Sequence, residues 1–366
     1  MSAPPDPSRH ARAATRECDV QEPGTRPLVH IGFHKTASTL LQNALFARSD
    51  LGFERLENDR YHVQVDFVKQ GPFDDLSPGR IQSYRRRNRE AQTRGNTLVV
   101  SHERLSGYPA SGGYDAKLIA DRIKNCLPDA RILIFVREQR SMIFSYYLQY
   151  ISDGGSLSFR RLTTPLQWTL SRKPEFDFRS FAYVQCIEYY RRLFGADNVL
   201  VLPYEALRSD GCRVAREIAQ FCRQDSSLIP HDIFKVPANE GMPILMQALR
   251  RPLNALFNRN QLSPEAPILF PWFDRYYRKL RPLFAFTGVF NGLLRRRLMG
   301  QIERAVGERY AESNQQLQRM TGYDLRRLGY SLPSRVASLG EPVNSGSAVP
   351  APKHARPTLP TPNRVA

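Results

Sequence analysis

Short apolar runs punctuate the first two-thirds of the chain, and each is followed by a segment with helical spacing. Leu28–Phe33, Thr97–Ser101, Arg131–Val136 and Asn198–Pro203 read as buried strands. Between them, apolar positions recur every three to four residues over Thr39–Leu45, Asp115–Cys126, Gln139–Ile151, Phe178–Phe194 and Cys212–Arg223, which predicts helices. Arg80–Arg94 reads as a polar, strongly basic helix with a solvated face. Residues 51–79 mix aromatic residues with Gly and Pro and predict irregular structure with short helices. Apolar strands alternating with helices are the mark of βαβ units. The expected fold is therefore α/β, a parallel β-sheet flanked by helices.

Past residue 223 the strand signal fades. Pro230–Pro243 reads as a loop, and helical patterns come after it at 243–259, 271–280 and 290–318, so the C-terminal part is expected to be mostly helical. The ends differ in composition. Residues 1–26 hold Pro4, Pro5, Pro7 and Pro23 and no apolar core, and read as a disordered lead-in rather than a secretory signal. Residues 331–366 carry seven prolines and no aromatic residue, the composition of a disordered tail. One folded domain over 27–330 is expected between them.

Charge changes the picture more than size does. Fifty-three Lys and Arg against 35 Asp and Glu leave a net charge of +18. That balance favours acidic partners, such as nucleotides, anionic glycans or anionic lipid, without choosing among them. The five cysteines are widely spaced with no Cys-x-x-Cys, so neither a zinc site nor a disulfide framework is indicated, and a reducing cytoplasm is the expected setting. No apolar run is long enough to span a bilayer, although a basic face could touch one.

The candidate chemistry sits where strands end. After the first strand comes His34-Lys35-Thr36-Ala37-Ser38-Thr39-Leu40. A short loop of small and hydroxyl residues feeding a helix presents backbone N–H groups to an anion, and Lys35 adds a full charge. A plain capped turn, with Ser38 as N-cap, is the simpler reading of the loop. The second strand ends at His102-Glu103, and the third at Arg137, with Ser145 eight residues on. Ligands of open parallel sheets bind beyond the carboxyl ends of the strands, so neighbouring strands would bring these groups to one crevice. Walker A does not fit, because Gly32 is the only glycine near the loop, and no Asp comes after a buried strand as a Mg²⁺-holding Walker B would need.

These residues resemble a known family. His34–Leu40 is similar to the 5′-phosphosulfate loop of sulfotransferases that use 3′-phosphoadenosine 5′-phosphosulfate (PAPS). That loop commonly reads Lys-Thr-Gly-Thr-Thr, so Ala37 and Ser38 stand in place of Gly and Thr. Arg137 and Ser145 match the family's 3′-phosphate pair in type and spacing, with Gln139 where Pro is frequent. Tyr204-Glu205 resembles a Tyr-Glu whose Tyr contacts the adenine region, and Tyr310–Tyr330 resembles the end of bacterial sulfotransferase-like proteins. The resemblance implies PAPS as donor, PAP as product, no metal, and a hydroxyl acceptor, here a carbohydrate or glycolipid rather than a nucleic acid. It implies that Lys35 stabilises the leaving phosphate and that Thr36, Ala37, Ser38, Thr39 and Leu40 cradle the phosphosulfate. Arg137, Ser145 and Tyr204 would then hold the nucleotide. The base would be Glu103 or His102, with a lean to Glu103 and His34 a third candidate. A non-catalytic nucleotide- or glycan-binding module of the same fold, and a P-loop kinase, are the alternatives.

Overall fold

The computed structural model describes residues 25–56, 59–164, 176–235, 241–257, 262, 266–284 and 286–334. The expectations of disorder for most of 1–26 and of 331–366 fall outside these residues. Thr25 and Arg26 are placed, bonded to Asn96 and Asn198, and at the other end Ser331 O accepts from Asn314 Nδ2 at 2.9 Å.

Five strands are present among the described residues: β1 (Leu28–His30), β2 (Phe53–Arg55), β3 (Thr97–Ser101), β4 (Arg131–Val136) and β5 (Val199–Pro203). All are parallel, in the order β2-β3-β1-β4-β5. Four match the expected runs. β2 lies in the stretch read as irregular, because three residues with two charges at a sheet edge carry no apolar periodicity. β1 is shorter than its apolar run: pairing stops at His30, and Ile31 to Phe33 are buried without being strand.

The helices are given in chain order. α1 (Ser38–Ala44), α2 (Asp59–Val63), α3 (Pro78–Thr93), α4 (Ala116–Cys126) and α5 (Gln139–Ser152) come first. After them run α6 (Phe159–Thr163), α7 (Tyr183–Phe194), α8 (Tyr204–Ser209) and α9 (Gly211–Phe221). The C-terminal part holds α10 (Ile244–Phe257), α11 (Phe273–Lys279), α12 (Gly288–Val306) and α13 (Ala311–Thr321). The single helix expected over 290–318 is two, parted at Gly307, whose φ of 51° is left-handed. The helix expected over Phe178–Phe194 starts as a 3₁₀ turn at Phe178–Phe181.

Alternation along the strands splits the core into two layers, as a two-sided sheet requires. Val29, Val100, Ile132, Ile134 and Val136 face the layer that contains α4, α5, α7 and the end of α12. Leu28, Val99, Leu133 and Phe135 face the layer of α1, α8 and α9. Helix starts use local caps. Glu138 caps α5 by accepting from Arg140 N and Ser141 N at 3.0 and 2.8 Å, and Asp210 caps α9 by accepting from Arg213 N at 2.9 Å. No described helix is long and apolar enough to cross a membrane.

β1 is central, with β3 on one side and β4 on the other. The chain leaves β1 toward β2 and β3 and then crosses to β4 and β5. This reversal opens the crevice of a switch point at the carboxyl end of β1. A reciprocal amide pair buttresses that end. Gln139 Nε2 donates to Asn314 Oδ1 at 2.6 Å, and Asn314 Nδ2 donates back to Gln139 Oε1 at 3.1 Å, with Asn314 fully buried. It ties α13 to the first turn of α5, directly behind Arg137. Asn314→Leu should cost about 3 kcal/mol, since it strands the Gln139 amide and the Ser331 carbonyl in the interior. The double variant Gln139→Leu/Asn314→Leu should recover part of that loss. Urea unfolding of both proteins checks this; a loss below about 1 kcal/mol would mean the pair does not hold α13 in place.

Candidate functional site

The loop after β1 is shaped by its backbone. Lys35 and Ala37 both take left-handed φ values, 64° and 65°, with Thr36 between them. For residues with a Cβ this conformation is strained, and it is held here because the surroundings fix it. Thr36 is fully buried, and its hydroxyl donates to Phe33 O at 2.6 Å, closing the loop on itself. Gly32 is needed at the crossing. A Cβ there would lie 2.7 Å from His30 Nε2 and 3.0 Å from Ser38 Oγ. Backbone N–H groups in such a turned conformation form an anion-binding concavity.

The loop is not the capped turn of the simpler reading. Ala37, not Ser38, is the N-cap of α1, and no side chain caps that helix. Ser38 is its first residue, with a buried Oγ that has no partner. Lys35 and Thr39 are exposed, and Ala37 and Leu40 half-buried. Of the hydroxyls expected to act as donors to a ligand, that of Thr36 is thus spent inside the loop.

Arg137, at the end of β4, meets this loop. Its Nη1 donates to Lys35 O at 2.9 Å, and its guanidinium carbon lies 4.7 Å from the centre of the Tyr204 ring. Arg137 Nε is buried with no partner. The backbone beneath it is fixed from two sides. Tyr183 Oη donates to Arg137 O at 2.7 Å, and Glu138 N donates to Glu205 Oε1 at 3.0 Å, whose other oxygen accepts from Tyr330 Oη. Lys35, Arg137 and Tyr204 are therefore brought together. Ser145 is half-buried in the second turn of α5, with no hydrogen bond to Lys35 or Arg137.

On the β3 side the two adjacent candidates part company. His102 is buried, and its Nδ1 accepts from Arg104 N at 3.0 Å, capping the turn Glu103–Ser106. Glu103 is half-buried and supplies negative charge to the loop. Burial pushes the Lys35 ammonium down from its ordinary value, Asp153 and Glu103 pull it back, and Arg137 pushes it further down. Burial likewise pushes His34 down to about 4, opposed by Glu103. The His34 ring lies 6.2 Å from that of Tyr108, which in turn carries the Arg104 guanidinium 4.4 Å from its centre.

Asp153 is the residue that sequence reasoning missed. It caps the carboxyl end of α5, where Gln149 Nε2 donates to its Oδ1 at 2.6 Å. Burial raises its pKa, while Gln149 and Lys35 act to lower it. In the sequence it reads as an ordinary helix-ending Asp-Gly-Gly. Only its place at the far end of the helix that opens after Arg137 could have marked it.

Behind the loop, His30 Nδ1 lies 2.8 Å from Ser101 Oγ, which also accepts from Gln42 Nε2 at 3.0 Å. His30 Nε2, beside Gly32, is buried with no hydrogen-bond partner among the described residues.

No family model and no curated protein matches this chain. Among the solved structures similar to it are two sulfotransferases. The sulfotransferase from Alicyclobacillus acidocaldarius is 19% identical, with a TM-score of 0.41, over 69% of this chain and 99% of that one. The sulfotransferase domain of the olefin synthase from Synechococcus PCC 7002 is 14% identical, with a TM-score of 0.32, over 73% of this chain and 97% of that one. Identity this low carries no residue roles from those proteins to this chain.

The loop generates two expected outcomes. Burial pushes His30 down to about 3, so it stays neutral in the fold while an unfolded chain takes up a proton below about pH 6.5. Stability from this group is present above that pH and is lost as pH falls toward 3, by about 1.4 kcal/mol per pH unit. Urea titrations at stepped pH should show His30→Gln flattening that slope; an unchanged slope would rule out a buried neutral His30. Ala37→Gly should leave stability level or raise it by about 0.5 kcal/mol, because relief of left-handed strain slightly outweighs the added chain entropy. Ala37→Val should lose about 2 kcal/mol by the same measurement, since a β-branched residue fits that conformation worst.

Proposed function

We propose that this protein is a sulfotransferase that moves a sulfuryl group from PAPS to a hydroxyl acceptor. The observation that carries the reading is the meeting of two cations from different strands at one strained loop. Arg137 bonds the backbone of Lys35 while stacking over Tyr204. Three buried polar atoms of this loop and strand end have no hydrogen-bond partner among the described residues: Arg137 Nε, Ser38 Oγ and His34 Nε2. A bound polyanion accepts from N–H and O–H groups of this kind, so the residues fit a nucleotide with phosphates at both ends.

In this reading the loop N–H groups and Ser38 and Thr39 hold the phosphosulfate, and Lys35 faces the bridging oxygen. Transfer is in line. The acceptor oxygen forms a bond to sulfur as the bond to the leaving phosphate oxygen breaks, and charge builds on that oxygen. Lys35 stabilises this charge, and its ammonium is kept in place by Glu103 and Asp153. Arg137 takes the 3′-phosphate, with Ser145 further along α5 as its second donor and Tyr204 beside the adenine. Glu103 accepts the acceptor's proton. His102 is the weaker candidate, because its Nδ1 is engaged with Arg104 N and its ring is buried. The acceptor is a carbohydrate or glycolipid hydroxyl. The cytoplasm is its proposed place, where the four described cysteines stay as free thiols.

Saturating PAP should raise the melting temperature, and label from sulfur-labelled PAPS should pass to an acceptor drawn from a screen of hydroxyl compounds. Lys35→Ala should lower turnover by about 10²- to 10³-fold with PAP binding largely retained. Arg137→Ala should weaken PAP binding by about 10- to 100-fold. A PAP that gives no thermal shift, or an Arg137→Ala protein that prefers ATP with Mg²⁺, would refute the assignment.

A further inference from the structure

The stretch from 266 to 300 has a different surface from the rest of the chain. It holds seven Lys and Arg and a single acid, Asp274. That acid is engaged by Arg250 Nη1 at 2.7 Å and Arg278 Nε at 2.8 Å, and Arg275, Lys279, Arg296 and Arg297 are all exposed, with no ion pair of theirs among the described residues. Among these cations stand large apolar side chains with little cover. Trp272 is 61% exposed, Leu283 74%, Phe286 97%, Val289 86%, Phe290 62% and Leu293 60%.

The helices present these groups outward because their other faces are spent. α11 buries Phe273 and Tyr277, and Tyr277 Oη donates to Met246 O on α10 at 2.6 Å. Trp272 and Tyr276 are left on the opposite face. α12 is held to α10 where Leu245 N donates to Asn291 Oδ1 at 2.8 Å, and Val289, Leu293 and Arg296 fall on one face of it by helical spacing.

We propose that this face seats on an anionic lipid bilayer. Charge selects this occupant. A second copy would bring the same cations against these, and the chain beyond Ser334 is itself net basic. A protein partner would have to supply a pocket for each of Phe286 and Val289, which project almost fully into solvent. A bilayer interface takes such tips without matched shape and attracts the arginines beside them.

The seat also bears on the acceptor, and in this it rests on the function proposed above. α10 is bolted to the end of α5. Gln247 Nε2 and Arg250 Nη2 donate to Ser152 Oγ and Ser152 O, and Asn254 Nδ2 donates to Ile151 O and Gly155 O. Asp153, the counter-charge of Lys35, lies within that same turn. The bilayer-facing helices thus adjoin the side of the site across from the nucleotide, and the acceptor is a hydroxyl carried on a membrane lipid.

Co-sedimentation with vesicles tests the seat without nucleotide, so its failure is separate from a failure of PAPS chemistry. The full chain should pellet with phosphatidylcholine vesicles that contain phosphatidylglycerol, and at least about tenfold less with phosphatidylcholine alone. Phe286→Ser/Val289→Ser and Arg296→Glu/Arg297→Glu should each reduce binding to the anionic vesicles by about tenfold or more, with the thermal shift by PAP unchanged. Trp272 emission should move to the blue on binding. Absence of wild-type binding, or binding indifferent to both pairs of substitutions, would overturn the proposal. So would a dimer in solution that Phe286→Ser/Val289→Ser dissociates, which would make the face a self-contact.

Discussion

One hydrogen bond joins the two halves of the sheet's open end: Arg137 Nη1 to Lys35 O, 2.9 Å. It couples the end of β4 to the loop after β1, and the loop needs such a partner. Two residues with side chains sit there in left-handed conformations, which cost about 1–2 kcal/mol each. Strain of that kind persists only where neighbours over-determine it. Thr36 locks the loop from within through Phe33 O, Gly32 allows the close crossing, and Arg137 fixes it from across the crevice. The guanidinium is steadied by the Tyr204 ring, and the Arg137 backbone by Tyr183 Oη, which donates to Arg137 O. The loop's shape is therefore fixed by contacts within the chain itself.

Electrostatics point the same way. The site gathers Lys35, Arg104 and Arg137, and two more cations there would push the loop apart. His30 and His34 avoid this because burial holds both neutral at ordinary pH. Glu103 and Asp153 offset Lys35 from two sides without removing its charge. The group keeps a modest positive surplus over a short distance, with Lys35, Arg104 and Arg137 set against Glu103 and Asp153.

Much of this was legible in the sequence, and the parts that were not have a common cause. Four of the strands announce themselves by their apolar runs, and most helices by apolar period. The loop, Glu103 and Arg137 are found by reading the polar residues at the carboxyl end of each strand. β2 escapes because an edge strand of three residues, Phe53–Arg55, has no period to detect. The break at Gly307 escapes because apolar spacing runs on through it. Asp153 escapes because its role depends on where α5 ends in space, not on its neighbours in sequence. His102 and Glu103 could not be separated by adjacency alone. Their division, one as a cap and one as a charge beside Lys35, is set by a hydrogen bond to Arg104 N that no motif encodes.

The helical C-terminal part shows why function can reside in what a fold leaves uncovered. α13 is absorbed by the core through Asn314 and Leu317, and it closes over the start of α5. α10 instead spends its polar groups on the end of α5, with Arg250 fully enclosed between Ser152 O, Asp274 and the rings of Phe273 and Tyr277 on α11. One helix, α5, is thus braced at its first turn by one element and at its last by another. Its first turn adjoins Arg137 and its C-cap is Asp153, so one helix sets the positions of both groups. Because both braces act on the same helix, the packing of α13 and of α10 bears on the candidate site from the two ends of α5.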